Sequence, residues 1–149
     1  MNDQEALHEE PRFDEKGMTQ WYWRVLHPEN LTLGRYTQIG SFTTIDALCE
    51  VEIEDYVLIG FGCAILSYSS IDERCGKVKL EKCSRIGSNS TIMPGITISK
   101  NSIVGANSFV NRDVPPNQIW VGTPARFLKK IAKNDENRTD SQKKSDKSF

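Results

Sequence analysis

The amino-acid sequence predicts an all-β solenoid of about four coils, and three observations support this prediction. Aliphatic residues recur every six positions through the middle of the chain, compact side chains recur four positions after them, and aliphatic doublets restart the pattern at regular intervals. A period of six fits neither a helix of 3.6 residues per turn nor a simple alternating strand. It fits a triangular prism in which each hexad forms one face and three hexads form one coil.

Two columns of residues are predicted to point into this prism. The aliphatic column is Leu33, Ile39, Ile45, Ile53, Ile59, Ile65, Leu80, Ile86, Ile92, Ile98, Val104 and Val110. The compact column is Thr37, Thr43, Cys49, Val57, Cys63, Ser69, Ser84, Ser90, Ser102, Ser108 and Val114, with the larger Ile96 in the same series. Stacked coils would bring equivalent positions into contact, so these columns should form the core.

The doublets give the coil count and expose two interruptions. They are Leu31/Leu33, Val51/Ile53, Val78/Leu80 and Ile96/Ile98, which predicts four coils of eighteen residues. Two additional residues precede Ile53, and a longer excursion runs from Ile71 to Lys79. Because parallel strands stack about 4.8 Å apart, four coils make a prism roughly 15–20 Å tall. The ends of so short a stack need covering segments.

The remaining segments are assigned around the solenoid, which is expected to span residues 25–115 with its excursion at 71–79. Residues 1–24 are expected to form an N-terminal cap and a mobile tail. Residues 116–132 are expected to close the prism with a loop and a short C-terminal helix that buries Phe127, Leu128 and Ile131. Residues 133–149 are polar and lack aliphatic side chains, which is typical of a disordered tail.

Composition favours one soluble domain. The chain has 149 residues, 38% of them hydrophobic, and no apolar run long enough to span a bilayer. Its acidic N-terminus does not resemble a signal peptide, so a cytoplasmic location is expected. The net charge of −1 and the mixed charges of both ends give no indication of nucleic-acid binding.

The cysteines and histidines argue against a metal centre. Cys49, Cys63, Cys75 and Cys83 have no Cys-x-x-Cys spacing, and the chain has only two histidines. Cys49 and Cys63 occupy inward hexad positions, which predicts a packing role for both. Cys75 falls in the excursion, where an exposed thiol is expected.

The closing segment carries a resemblance to a known family. It runs from Ile98 through Val-Asn-Arg-Asp-Val-Pro-Pro to Asn117, followed by Val121-Gly-Thr-Pro-Ala-Arg126. Together with the hexads, it resembles the maltose, galactoside and xenobiotic acetyltransferase branch of the hexapeptide-repeat acyltransferases, over roughly residues 25–132. The resemblance implies a left-handed parallel β-helix, a homotrimer, and acetyl-CoA as co-substrate, bound in the groove between subunits. It implies no metal, and the histidine count excludes the zinc carbonic anhydrases of the same fold.

The resemblance also implies a set of cofactor-binding residues. They are Ser88, Ala106, Asn111, Arg112, Arg126 and Lys129. Ser88 and Ala106 would lie beside the pantetheine arm, and the three cations would suit the phosphates of coenzyme A. Packing is the alternative role of the two small residues, and Trp120 would either stack on adenine or cover an apolar edge.

The chain departs from the resembling family at the general base, because the excursion holds no histidine. Three explanations stay open. Asp72 or Glu73 could act as base if burial at a subunit interface raised its pKa. His27 could reach the site from the first coil or from a neighbouring chain. Alternatively, no side-chain base is needed, because an amine acceptor can bind partly neutral and lose its proton after attack, which an alcohol cannot easily do.

The third explanation favours an amino group as acceptor. The sequence therefore predicts transfer of an acetyl group from acetyl-CoA to a sugar, most specifically to a nucleotide-linked amino sugar of surface polysaccharide biosynthesis. Sugar O-acetylation and a catalytically silent trimeric scaffold are the alternatives.

Overall fold

A computed structural model describes residues 9–132 and confirms the left-handed parallel β-helix. Three sheets form the three faces of the prism. Face 1 contains β1 (Arg24–Leu26), β4 (Thr44–Asp46), β7 (Ala64–Leu66), β12 (Thr91–Ile92) and β15 (Phe109–Val110). Face 2 contains β2 (Leu31–Leu33), β5 (Val51–Ile53), β10 (Val78–Leu80) and β13 (Thr97–Ile98). Face 3 contains β3 (Gln38–Ile39), β6 (Leu58–Ile59), β11 (Arg85–Ile86), β14 (Ile103–Val104), β16 (Gln118–Gly122) and β17 (Ala125–Lys130).

The register stacks the predicted aliphatic column. Ile45 pairs with Ile65, and Ile65 pairs with Ile92, in parallel register on face 1. All three side chains are 0% exposed. The five serines of the compact column are also buried, namely Ser69, Ser84, Ser90, Ser102 and Ser108. The hexad period therefore identified the core correctly, because every sixth residue occupies the same position on a neighbouring face.

Each regular corner contains a residue with positive φ, three positions after the inward aliphatic. These residues include Tyr36, Phe42, Tyr56, Gly62, Cys83, Asn89, Gly95, Asn101 and Asn107. Gly and Asn adopt this conformation at little cost, whereas Tyr36, Phe42 and Tyr56 do so less readily. The corner geometry thus repeats from coil to coil even where the residue type does not favour it.

The coil count and the C-terminal element differ from the prediction. The prism has about five coils, because β1 and β16 supply rungs that the doublets do not mark. The predicted C-terminal helix was wrong, since residues 125–130 form strand β17, antiparallel to β16. The last parallel strand would otherwise leave an open edge, and β17 satisfies its backbone groups. Phe127 and Leu128 remain 51% and 47% exposed, so the expected apolar face is not buried.

The excursion is a β-hairpin that leaves the prism between faces 1 and 2. Its strands are β8 (Tyr68–Ser69) and β9 (Arg74–Cys75), which pair only with each other. Val78 already belongs to face 2, so the excursion ends two residues before Lys79. The two additional residues before Ile53 lie at the same corner, one coil below. A 3-10 helix, Pro28–Asn30, occupies this corner in the first coil.

The predicted inward packing of Cys49 was wrong, because Cys49 forms a disulfide with Cys75. The insertion before Ile53 adds residues at this corner, where Glu50 has φ 77° and Cys49 is only half-buried. Cys63 packs inside as predicted, 2% exposed.

The N-terminal residues before face 1 lie against the first coil. Trp23 is 3% exposed and meets Phe13 edge-on, with ring centroids 5.7 Å apart. No helix within residues 9–132 is long and apolar enough to cross a bilayer. Residues 1–8 and the tail 133–149, for which disorder was expected, lie outside the described residues.

Candidate active site

Two corners of the prism flank face 1, and they hold almost all of the sequence-predicted site residues. The glycine corner joins face 3 to face 1 and carries Gly40, Gly60, Gly87 and Gly105 at successive levels. The hairpin corner joins face 1 to face 2 and comprises residues 27–30, 47–50, 67–77, 93–96 and 111–113. The first corner is regular in every coil, whereas the second contains all the interruptions of the hexad period.

Ser88 lies half-buried at the glycine corner in the third coil. Its hydroxyl oxygen accepts a hydrogen bond from the backbone N–H of Phe61, at 3.1 Å, and its carbonyl accepts one from Asn107 N–H, at 2.9 Å. A Cβ on Gly60 would lie 2.6 Å from the Ser88 hydroxyl oxygen. Ser88 is therefore packed between the rungs below and above it, and a larger side chain would not fit below it.

Ala106 occupies the next level of the same corner and is exposed. The rung below approaches it so closely that a Cβ on Gly87 would lie 2.4 Å from the Ala106 nitrogen. Above it, the Thr123 hydroxyl donates to the Asn107 carbonyl at 3.1 Å. Ser88 and Ala106 thus form two steps of a narrow strip along which an extended ligand could contact backbone.

The cations predicted to bind phosphate do not form one cluster within the single chain. Arg126 is opposite Val121 near the glycine corner, and its Nη1 donates to the Ala125 carbonyl at 2.7 Å. Lys129 is opposite Ile119, roughly 10 Å further along an extended strand rather than one helical turn away. Asn111 and Arg112 are exposed at the hairpin corner of the top coil, because the chain has already crossed face 1 there.

Trp120 serves packing in this structure. Its ring lies partly buried against the core, and its Nε1 donates to the Gln118 Oε1 at 2.9 Å.

The three candidate bases lie at the hairpin corner. Asp72 and Glu73 are exposed at the turn of the hairpin, where Glu73 has φ 52°. The Asp72 carboxylate is 3.1 Å from the Arg74 guanidinium. A hydrogen bond from Ser69, with the charge of Arg74 as a smaller cause, lowers the pKa of Asp72. A general base needs a raised pKa, so within one chain the shift has the opposite direction to the one predicted.

His27 lies at the first level of the hairpin corner, in a left-handed conformation with φ 60°. Its Nδ1 is 3.6 Å from the Glu29 Oε1, and its side chain is 45% exposed. It caps the 3-10 helix geometrically without a side-chain hydrogen bond to the helix backbone. The ring is therefore available to solvent or to a neighbouring chain.

Two further features of these corners were missed by sequence reasoning. A shallow cavity of about 410 Å³ at the hairpin corner is lined by Glu29, Asn30, Thr32, Leu48, Cys49 and Glu50. The signal for it was the insertion before Ile53, which adds residues at this corner. At the glycine corner, exposed aromatic side chains stand below Ser88: Tyr22 at 65%, Phe42 at 77% and Phe61 at 64%. We call these three residues the aromatic ridge.

Metal binding has no structural support in residues 9–132, where no three His, Cys, Asp or Glu side chains are grouped as a metal site would require. Apart from Arg126 and Lys129 on β17, the cofactor-binding and catalytic residues predicted from the sequence lie at the two corners. Within one chain these corners lie at opposite edges of face 1.

Comparisons with known proteins agree with the architecture. Residues 77–112 match a family model described as the hexapeptide repeat of succinyl-transferase. A hexapeptide-repeat-containing acetyltransferase from Vibrio cholerae is 32% identical, with 72% of this chain and 70% of that one covered and a TM-score of 0.66. Its complex with acetyl-CoA gives a TM-score of 0.69 at 30% identity, with 74% of this chain and 65% of that one covered.

Two named sugar acetyltransferases are also similar. A maltose O-acetyltransferase from Clostridium difficile 630 is 30% identical, with 74% of this chain and 64% of that one covered and a TM-score of 0.68. The galactoside O-acetyltransferase of Escherichia coli K12 is 45% identical over 51 residues, which are 34% of this chain and 25% of that protein. The matches thus span between a quarter and two thirds of these two relatives. With the coiled prism, its hexad core and the closing segment, they show that the chain belongs to the hexapeptide-repeat acetyltransferase family.

Proposed function

We propose that this protein transfers an acetyl group from acetyl-CoA to a sugar, most specifically to the amino group of a nucleotide-linked amino sugar in surface polysaccharide biosynthesis. The carrying observation is the strip formed by Ser88 and Ala106 at the glycine corner. Its two successive rungs are in close contact, Ala106 is exposed, and Arg126 lies at its upper end. An extended pantetheine arm ending in phosphates fits such a strip, and the similar Vibrio cholerae protein is described in complex with acetyl-CoA.

A homotrimer would complete the site. In one chain, the glycine corner and the hairpin corner lie on opposite edges of face 1, so Ser88 and the candidate bases cannot meet around one reacting carbon. Around a threefold axis, the glycine corner of one copy can face the hairpin corner of the next. The aromatic ridge supports this arrangement, because exposed aromatic side chains in a row are typical of protein interfaces. Arg112 would then approach the phosphates from the neighbouring copy.

The acceptor preference follows from the bases at the hairpin corner. The pKa of Asp72 is lowered, and His27 lies beside the Glu29 carboxylate at the opposite end of the corner. A carboxylate of lowered pKa is a poor general base for an alcohol acceptor, so Asp72 does not suit that role. An amine acceptor can attack without a general base, which supports N-acetylation. We also propose a cytoplasmic location, because the proposed co-substrate, acetyl-CoA, is a cytoplasmic metabolite.

Acetyl-CoA binding tests the donor site. Isothermal titration calorimetry on the wild-type protein should give a micromolar-range Kd, and Ala106→Leu should weaken it at least about tenfold by blocking the strip. Gln38→Leu is the matched control, since Gln38 is also exposed but lies on face 3 in the first coil. Arg126→Ala should weaken binding without abolishing it. A folded trimer that binds no acetyl-CoA would contradict the proposal and favour the silent scaffold.

The acceptor is tested separately. Release of the coenzyme A thiol should be measured with nucleotide-linked amino sugars, with the corresponding hydroxyl sugars, and with galactosides and maltose. Faster turnover with the amino sugars is expected. The second candidate is sugar O-acetylation, which is favoured by the similarity to a maltose and a galactoside O-acetyltransferase. Faster turnover of the hydroxyl sugars would support it.

A further inference from the structure

The Cys49–Cys75 disulfide joins the two interruptions of the hexad period. Cys49 immediately precedes the insertion at the hairpin corner of the second coil, and Cys75 belongs to strand β9 of the hairpin above it. Their Cα atoms are 5.7 Å apart. The bond therefore ties the projecting hairpin to the body of the prism at a point where the strands of the faces do not hold it.

Below the disulfide, noncovalent contacts hold the base of the hairpin. The Gly76 N–H donates to the Ser67 carbonyl at 2.9 Å, the Ser67 hydroxyl accepts from Cys49 N–H at 2.9 Å, and Lys77 pairs with Glu50 at 2.8 Å. From Cys75 outward, β8 and β9 pair only with each other. Ile71 at the turn is 94% exposed, and the Asp72–Arg74 ion pair is internal to the hairpin. The disulfide is thus the outermost bond between hairpin and prism among these contacts.

The environment of the two sulfurs permits exchange with external thiols. Cys75 is exposed and Cys49 half-buried. An external thiolate can attack the Cys75 sulfur, which forms a mixed disulfide and releases the Cys49 thiolate. A second external thiol then displaces Cys75, so that two thiols become one small disulfide and the protein gains two thiols. The reverse reaction with a small disulfide restores the bond.

We propose that Cys49 and Cys75 form a thiol–disulfide exchange site that sets the mobility of the hairpin carrying Asp72 and Glu73. In the oxidised protein the hairpin is fixed against the second coil. In the reduced protein its outer part moves away from the prism, while the contacts of Ser67, Gly76 and Lys77 still hold its base. The exchange partners are low-molecular-weight thiols and disulfides. Any effect on acetyl transfer rests on the proposed function, in which the hairpin lies beside the acceptor.

The other two cysteines provide internal controls. Cys63 is buried, and burial raises the pKa of its thiol, which makes it a poor nucleophile. Cys83 is a half-buried free cysteine at the corner between faces 2 and 3, away from the hairpin. Neither can substitute for the pair without a rearrangement of the prism.

The test combines thiol counting with limited proteolysis of the full-length chain. After equilibration in buffers of reduced and oxidised glutathione, unfolded protein should contain two free thiols when oxidised and four when reduced. Trypsin cleavage after Arg74, followed by mass spectrometry, should be about tenfold faster in the reduced protein. Cys49→Ser and Cys75→Ser should be cleaved at the reduced rate in both buffers, whereas Cys83→Ser should keep the full redox response. Circular dichroism confirms that each variant is folded.

Four thiols in every glutathione buffer, or equal cleavage rates in oxidised and reduced protein, would overturn the proposal. Calorimetry with acetyl-CoA distinguishes this failure from failure of the proposed function. The Kd is measured in both redox forms, because the proposed trimer brings the hairpin corner of one copy near the Ser88–Ala106 strip of the next. Loss of redox-dependent cleavage with intact acetyl-CoA binding would reject the exchange site alone. Redox-dependent cleavage without acetyl-CoA binding would reject the enzymatic function and leave the exchange site standing.

Discussion

Replacing Gly87 by alanine should destabilise the protein, because the stacked coils leave no space for the added Cβ. The added Cβ would lie 2.4 Å from the Ala106 nitrogen, 2.7 Å from the Gly105 carbonyl carbon and 2.8 Å from the Ala106 Cα. All three atoms are backbone, so no side-chain rotation can relieve the contact. An ordinary separation requires the rungs to move apart by about 1 Å.

The rungs resist that movement through their hydrogen bonds. Gly87 N–H donates to the Val104 carbonyl at 2.8 Å, and Arg85 N–H donates to the Ser102 carbonyl at 2.9 Å. Overpacking of this kind costs about 1–3 kcal/mol. The lower entropy of the unfolded alanine chain offsets about 0.4–1 kcal/mol. The expected net loss is therefore about 1–2 kcal/mol, which corresponds to a fall in Tm of roughly 2–8 °C for a chain of this size.

Thermal unfolding followed by far-UV circular dichroism measures this loss. Gly95→Ala is the control, because nothing lies within 4 Å of a Cβ at Gly95 and its φ of +81° brings only conformational strain. Its expected loss is about 0.5–1 kcal/mol after the same entropic offset. If Gly87→Ala melts no lower than Gly95→Ala, close rung contact at the glycine corner is not what limits this position.

Three further predictions concern the cysteines and Asp72. Cys75→Ser should lower the free energy of unfolding in urea by about 3.5 kcal/mol, the loop-closure contribution of a crosslink over 26 residues, and reduction of the wild type should do the same; equal urea midpoints with and without reductant would refute this. Iodoacetamide at pH 8 should alkylate Cys83 in the folded protein while Cys63 stays protected, since burial raises the pKa of the Cys63 thiol; equally fast labelling of both, read by mass spectrometry, would contradict it. Asp72→Asn should leave the shape of the pH dependence of turnover unchanged between pH 5 and 9. The pKa of Asp72 lies below its ordinary value of 3.8, so the carboxylate loses its charge only as the pH falls through that lowered value. A limb in this range that disappears in Asp72→Asn would show that Asp72 acts as the base.

The core was predictable because the hexad period directly marks the positions whose side chains point inward. Ile45 and Ile92 are six positions, or two coils, apart in the aliphatic column, and both are fully buried because equivalent positions on a regular prism share one environment. Two coil rungs were missed because β1 and β16 lie outside the regular run of hexads. The hexad period does not predict a strand at the end of the stack, because covering segments take the place of the next coil there.

The C-terminal strand and the disulfide were not predictable from local pattern. The spacing of Phe127, Leu128 and Ile131 suits a helix, but the open edge of β16 recruits the segment as a strand instead. Cys49 holds an inward position by count, yet the insertion that follows it changes the path of the corner and leaves it beside Cys75. In both cases a tertiary neighbour, absent from the local sequence, decides the outcome.

The site residues were predicted with mixed success for a related reason. Ser88 and Ala106 are aligned because both follow a glycine at the same corner, one coil apart. Arg112 was grouped with Arg126 because both follow the last complete hexads, although the chain passes from one corner to the next between them. Sequence proximity near the end of a solenoid therefore does not establish spatial proximity.

The division between a regular corner and an irregular one matches the two halves of the proposed reaction. At the glycine corner, each rung touches the next so closely that an inserted residue would disturb the coils above and below, and the strip keeps one geometry over several levels. A co-substrate of fixed length requires such a geometry. At the hairpin corner, an insertion projects into solvent and leaves the strand register intact, as the hairpin shows between β7 and β10. Additional chain can therefore be accommodated there without loss of the core, and a corner of this kind can differ in shape while the donor strip stays the same. The acceptor, which varies in chemistry far more than coenzyme A, is for that reason expected to be selected by the hairpin corner.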